Sequence, residues 1–211
     1  MAALGGDGSW CVFFDRDGTL NDHVERDGRR SSPRSPEEWI PRPDASAALG
    51  RLRAAGGRLV VITNQPDLSR GLLDPRALDG LHRALAAEAG VDDVFVCPHR
   101  AADSCACRKP SSHWLYRAAR RHRLDLHLSY LVGDRPTDAQ AGLNAGTRAV
   151  LLTTIRRTSN VPGLHYAPDL SAAATEILRH RAGSQTSRST LALSPREEKH
   201  HGIRHDSRFL G

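Results

Sequence analysis

The sequence has no run of about 18 apolar residues, so no membrane-spanning helix is expected in its 211 residues. Residues 1–9 lack a basic stretch followed by an apolar one. No secretion signal is therefore expected, and a cytoplasmic location follows as the default. Cysteine is scarce: there are four, and three of them fall within residues 97–107. In a reducing compartment such clustering points to a metal and away from a disulfide framework. A strong charge imbalance is also missing from the body of the chain. The formal net charge is +6, and residues 181–211, with six Arg and Lys against three Asp and Glu, hold half of it. The rest is mildly basic, which suits small anionic ligands better than a dedicated nucleic-acid surface.

What is present is an alternation of apolar runs and helical patterns. Residues 10–14 read as a strand, with Val12-Phe13-Phe14 at its end. Residues 22–36 are polar and read as a loop over that strand end. Helices are expected over residues 45–55, from Asp74-Pro75 to Gly90, from Ser111 or Ser112 to about His122, from the loop at 133–138 to Gly146, and over 170–179. Further strands are expected at 59–62, 94–96, 129–132 and 149–152. This alternation predicts an α/β fold with a mainly parallel sheet over residues 1–180, and such sheets bind ligands at the carboxyl ends of their strands. From residue 181 periodicity stops, and residues 181–211 read as a basic, disordered tail. His200, His201 and His205 lie there, and a solvated tail is the expectation for them.

The chemistry-bearing residues gather at the strand ends. Asp15 and Asp17 follow the first strand at a spacing of two, which on extended chain points both one way. Two such carboxylates need a cation or a shared proton, as in a metal-assisted nucleophile and proton donor, although Asp and Gly18 also make ordinary turns. Thr63, Asn64 and Gln65 could hold phosphate oxygens or form a turn. Arg108 and Lys109 could neutralise an anionic substrate or be a solvated pair. Asp134 follows an apolar strand and suits Mg²⁺, and Asp138 could ligate through water or cap the next helix. Cys97 and His99, like Cys105 and Cys107, are one residue apart, so each pair can grip one ion from extended chain. Together they make a closed Cys₃His set, the structural kind for Zn²⁺, where the bland alternative is three free thiols. Cys11 stands apart and reads as a core thiol.

Over residues 10–153 these motifs resemble the haloacid dehalogenase-like phosphohydrolases, whose Asp-x-Asp-Gly-Thr strand end, Thr loop, Lys and Gly-Asp-x-x-x-Asp loop correspond to Asp15–Thr19, Thr63, Lys109 and Gly133–Asp138. Cys97-Pro98-His99 followed by Cys105-x-Cys107-Arg108-Lys109-Pro110 is similar to the D-glycero-D-manno-heptose 1,7-bisphosphate phosphatase group, and the histidinol-phosphate phosphatases share that zinc loop. The resemblance implies a Rossmann-like, capless fold with a zinc-binding loop, and a monomer acting on a phosphorylated metabolite. It implies that Asp15 attacks phosphorus and forms an aspartyl-phosphate, and that Asp17 serves as general acid and base. Mg²⁺ would be held by Asp15, the Asp17 backbone carbonyl and Asp134. Thr63 and Asn64 would hold the transferring phosphoryl, Lys109 would neutralise it, and Arg108 would face the substrate's other anionic group.

The chain departs from the family pattern in three places. Ser111-Ser112-His113 follows Pro110 where a Pro-Gly segment is usual, Pro66-Asp67 replaces a common Ser-Gly, and Arg135 stands where Lys is usual. These bear on substrate identity. The heptose bisphosphate is the expected substrate and histidinol phosphate the alternative. A zinc-containing nucleic-acid-binding module with the basic tail as its arm is a distant third, because it leaves the Asp15 and Asp134 loops unexplained.

Overall fold

The computed structural model of the chain describes residues 9–155 and 157–192. Two compact units divide it, the first ending at Leu178 and the second starting at Arg179. In order the elements are β1 (Cys11–Phe14), β2 (Val24–Arg26), β3 (Arg29–Ser31), α1 (Ala45–Ala54), β4 (Arg58–Asn64), α2 (Pro75–Ala89), β5 (Asp93–Cys97), α3 (His113–His122), β6 (Tyr130–Gly133), α4 (Pro136–Ala145), β7 (Arg148–Leu152), β8 (Leu164–Ala167) and α5 (Leu170–Ala192). Six strands form one sheet in the order β5-β4-β1-β6-β7-β8, and each neighbouring pair is parallel.

β1 is central because all four of its residues are buried, as a strand covered on both faces requires. Its side chains alternate between two cores. Val12 and Phe14 pack with Leu49 and Leu52 of α1 and with Leu170 and Ile177 of α5. Cys11 and Phe13 pack with Leu115 of α3 and Ala141 of α4. Cys11 is a fully buried thiol in that second core. With both faces covered by helices, the polar residues that end β1, β4, β5 and β6 emerge together at the sheet's carboxyl edge.

α2 starts as expected: the Asp74 carboxylate accepts a hydrogen bond from Arg76 N at 2.7 Å, with Pro75 in the first turn. At α3 it is Ser111 whose hydroxyl accepts from His113 N, at 3.2 Å, while Ser112 donates to the Ala141 carbonyl. Three regions differ from expectation. Residues 22–36 are not all loop, since β2 and β3 pair antiparallel across Asp27-Gly28. Both turn residues have positive φ, +50° and +68°, the primed hairpin turn. β8 is an additional edge strand beside β7. α5 runs past Arg179 to Ala192, so the chain remains helical beyond the boundary expected at 180. His200, His201 and His205 lie outside the described residues.

Candidate active site

β1 delivers Asp15 to the sheet edge, where its backbone N–H still donates to Val132 O of β6 at 2.9 Å. The chain then turns sharply, with Thr19, Leu20 and Asn21 N–H groups all directed at the Arg16 carbonyl. Gly18 sits in this turn at φ +84°, and a Cβ there would lie 2.5 Å from both Asp134 Oδ2 and His23 Nε2. Only glycine allows this approach.

The two carboxylates, aligned in the sequence by a spacing of two, take different partners. Asp15 Oδ1 is 2.7 Å from the Lys109 ammonium, which also lies 2.7 Å from Asp138 Oδ1 and donates to the Ile62 carbonyl at 2.8 Å. Lys109 is 4 % exposed and Asp138 1 %. Asp138 Oδ2 accepts from Arg135 N at 2.9 Å, capping α4. Burial pushes the Asp15 carboxyl up to about 7, against the opposing pull of Lys109. Burial also works against the charged form of Lys109, but Asp138 and Asp15 outweigh it and raise its pKa above the usual lysine range.

Asp17 takes a different set of partners. Its carboxylate receives Arg16 Nε at 2.8 Å and Nη2 at 3.0 Å, and Gln65 Nε2 at 2.7 Å. Burial would raise its pKa, but Arg16, Ser32 and Gln65 together hold it at about 2. Arg16 is completely buried, and its Nη1 has no partner among the described residues. The sequence offered a signal for this residue, a guanidinium two residues after a continuous buried strand.

The loop after β4 also differs from expectation. Gln65 is 0 % exposed and does not line the cleft. Its amide nitrogen joins Asp17 to Thr63 Oγ1, 2.9 Å away, so it braces the site from behind the cleft lining. Because Thr63 Oγ1 accepts from Gln65, its own O–H is directed elsewhere, and Thr63 does line the cleft. The Asn64 amide brackets the Lys109 backbone, accepting from its N–H at 3.2 Å. Arg108 lines the cleft and is tied to the zinc-loop backbone, donating to His99 O at 3.0 Å.

Two donor sets fit metals of different character. Carboxylate oxygens of Asp15, Asp134 and Asp138 lie within 4.8 Å of one another. Asp134 Oδ1 is buried and without a hydrogen-bond partner among the described residues. A hard, anionic oxygen set with an orphaned buried acceptor fits Mg²⁺. Asp17's carboxylate is not in this set, which agrees with a role for its backbone carbonyl alone. The second set is Cys97, His99, Cys105 and Cys107. Cys105 Sγ lies 3.6 Å from Cys97 Sγ and 3.7 Å from Cys107 Sγ, and His99 Nδ1 lies 3.8 and 3.4 Å from the Cys97 and Cys107 sulfurs. A tetrahedron with zinc–sulfur bonds of about 2.3 Å has edges of about 3.8 Å, so the four ligands already stand near the vertices of a closed zinc site.

Asp15, Thr63, Asn64, Arg108 and Lys109 line one cleft of about 890 Å³. Arg30, Arg34 and Arg70 line it too, and sequence reasoning passed over all three.

Residues 106–174 match the HAD-hydrolase-like family. The chain is 38% identical over 179 residues, 80% of its length and 97% of the relative's, to a D-glycero-beta-D-manno-heptose-1,7-bisphosphate 7-phosphatase of Bordetella bronchiseptica. It is 36% identical over 146 residues, 66% of this chain and 75% of the relative, to the alpha-anomer 7-phosphatase of Mycobacterium bovis. Among solved structures it resembles the D,D-heptose 1,7-bisphosphate phosphatase of B. bronchiseptica complexed with magnesium and phosphate, at TM-score 0.69 and 36% identity over 82% of this chain and 99% of that one.

Proposed function

The chain belongs to the haloacid dehalogenase-like hydrolases, in the family of these heptose-bisphosphate 7-phosphatases, and on that premise we propose that it hydrolyses D-glycero-D-manno-heptose 1,7-bisphosphate at its 7-phosphate. The observation that carries the proposal is the seating of Lys109. The zinc loop ends at Cys107, and two residues later the Lys109 ammonium stands 2.7 Å from Asp15. The loop that marks the family thus delivers the cation to the nucleophile.

Asp15 attacks phosphorus, the ester P–O bond breaks, and an aspartyl-phosphate forms. Lys109 offsets charge on the transferring phosphoryl, and the Thr63 hydroxyl donates to one of its oxygens. Asp15, Asp134 and the Asp17 backbone carbonyl would hold Mg²⁺, whose charge would favour the ionised form of Asp15 beside an anionic substrate. Asp17 gives its proton to the leaving sugar oxygen and takes one from the water that then attacks the aspartyl-phosphate. At a pKa of about 2 while paired to Arg16, Asp17 cannot carry a proton at neutral pH. To act as the acid, its carboxyl would have to exchange the Arg16 pairing for the leaving oxygen. Asn64 fixes the Lys109 backbone, and Arg108 faces the substrate's second phosphate.

The four zinc ligands hold the loop in shape; a closed site has no open position at which to activate water. Thiolate ligation suits a reducing compartment, and the proposal includes a cytoplasmic enzyme that works as a monomer on a small metabolite, without nucleic acid. Among the described residues no helix is long and apolar enough to cross a membrane. Residues 1–180 form the phosphatase domain in this reading, and residues 181–211 an appendage outside the catalytic chemistry.

The test is Mg²⁺-dependent phosphate release from both anomers of the heptose bisphosphate, histidinol phosphate and common hexose phosphates. Preference for a heptose bisphosphate is expected. Preference for histidinol phosphate would keep the chemistry and refute the substrate.

A further inference from the structure

We propose that Arg34 and Arg70, joined through the buried carboxylate of Asp67, bind the phosphate that the enzyme leaves on the sugar. This rests on the reading of the cleft as a sugar-bisphosphate site. Asp67 is 7 % exposed, and its Oδ2 accepts from Arg34 Nε at 2.8 Å while Oδ1 stands 3.2 Å from Arg70 Nη1. Arg34 comes from the segment after β3 and Arg70 from the turn between β4 and α2. One carboxylate therefore ties together two loops at the mouth of the cleft.

The anchoring leaves the binding groups free. Asp67 engages Arg34 only through Nε, and neither terminal nitrogen of Arg34 has a partner among the described residues. Both guanidiniums keep access to water, at 32 % and 50 % side-chain exposure. A planar fork held at its base and open at its tips suits bidentate contact with phosphate oxygens. The backbone on each side is also fixed. Arg34 N donates to Glu38 Oε2 at 2.7 Å, and Glu38 in turn pairs with Arg26. The Asp67 carbonyl accepts from Leu72 N at 2.9 Å and Leu73 N at 3.1 Å. Side-chain and loop ordering that binding would otherwise require is thus largely complete beforehand.

Charge count explains why this is a second anion site. Lys109 is already committed to the transferring phosphoryl, two carboxylates flank it, and magnesium would offset those. Two guanidiniums against one carboxylate leave one positive charge at the mouth, beside Arg108 from the zinc loop. A monophosphate has no group to place there; a bisphosphate does.

The experiment compares KM for heptose 1,7-bisphosphate with KM for heptose 7-phosphate in the wild type and in Arg34→Ala, Arg34→Lys and Asp67→Asn, with fructose 1,6-bisphosphate and fructose 6-phosphate run in parallel. Arg34→Ala should raise the bisphosphate KM about 10- to 100-fold more than the monophosphate KM, the effect of losing charge-assisted hydrogen bonds. Arg34→Lys keeps the charge without the fork and should recover only part of the selectivity. Asp67→Asn frees both arginines and should lose several-fold. An equal rise on both partners of a pair, or none, would overturn the subsite. Wild-type turnover of the fructose pair but not the heptose pair would refute the proposed substrate while the KM ratio still reads the subsite.

Discussion

Asp138 carries two duties, and replacing it separates them. Its carboxylate is 1 % exposed, pairs with the Lys109 ammonium at 2.7 Å and caps α4 through Arg135 N at 2.9 Å. It rests against Gly133, where a Cβ would come within 2.4 Å of it, so the pocket around it has no slack. Breaking a buried ion pair by removing one partner costs about 3–5 kcal/mol. Lys109 retains Asp15 at 2.7 Å, which places the loss near the low end, about 3 kcal/mol. Losing the cap adds about 1 kcal/mol. Asp138→Ala should therefore be destabilised by roughly 4 kcal/mol, a large part of the 5–15 kcal/mol typical of a domain. Asp138→Asn keeps a cap acceptor and the shape, so it should lose about 1 kcal/mol less. Urea denaturation of the three proteins reads both numbers. Turnover should fall at least tenfold in each variant, because Lys109 is no longer held from two sides. Near-wild-type unfolding midpoints and rates in Asp138→Ala would refute this account of how Lys109 is seated.

Three further outcomes follow from the same geometry. Purified protein should contain about one zinc per chain, and Cys107→Ser should lose it together with turnover, read by metal analysis and phosphate release; an active, zinc-free variant would contradict the role of the loop. Gly18→Ala forces a Cβ to within 2.5 Å of Asp134 Oδ2 at φ +84° and should raise the Mg²⁺ concentration for half-maximal activity at least tenfold, read by titration with Mg²⁺. His82 is held near a pKa of about 4, by burial first and then by the Arg16 charge, against an ordinary value of 6.5. Its folded pKa is lowered, so the unfolded chain binds the proton more readily and stability falls as pH drops below 6.5. Solvent screening of this partly exposed ring reduces the linkage to about 1 kcal/mol between pH 7 and pH 5, and His82→Gln should flatten that part of the thermal-stability profile.

Much of the fold was legible because buried parallel strands and capped helices write themselves into short stretches. Val60, Val61 and Ile62 form an unbroken apolar run, and Asp74-Pro75 both starts and caps α2. β8 was missed because three of its four residues are only partly buried, and an edge strand needs no apolar run. The β2–β3 hairpin carries the Asp27-Gly28 turn in plain view, but its strands are charged and make no core contact that patterning could detect. α5 continues beyond Arg179 without an apolar stripe, so periodicity gave no sign of it. The site divides along similar lines. Asp15, Asp134 and the four zinc ligands are signalled by residue type and local spacing, whereas Lys109 takes its role from the resemblance. Partners from distant loops are not: nothing near Asp67 in sequence points to Arg34, 33 residues away. Nor does the spacing of Asp15 and Asp17 show that their carboxylates take different partners.

The most direct test of the central claim is an acid-quenched single turnover with substrate labelled in the 7-phosphate. Label bound covalently to the peptide that contains Asp15 in the wild type, and neither label nor turnover in Asp15→Asn, is the predicted result. Phosphate release by Asp15→Asn at the wild-type rate, or turnover in the wild type with no label on that peptide, would contradict it.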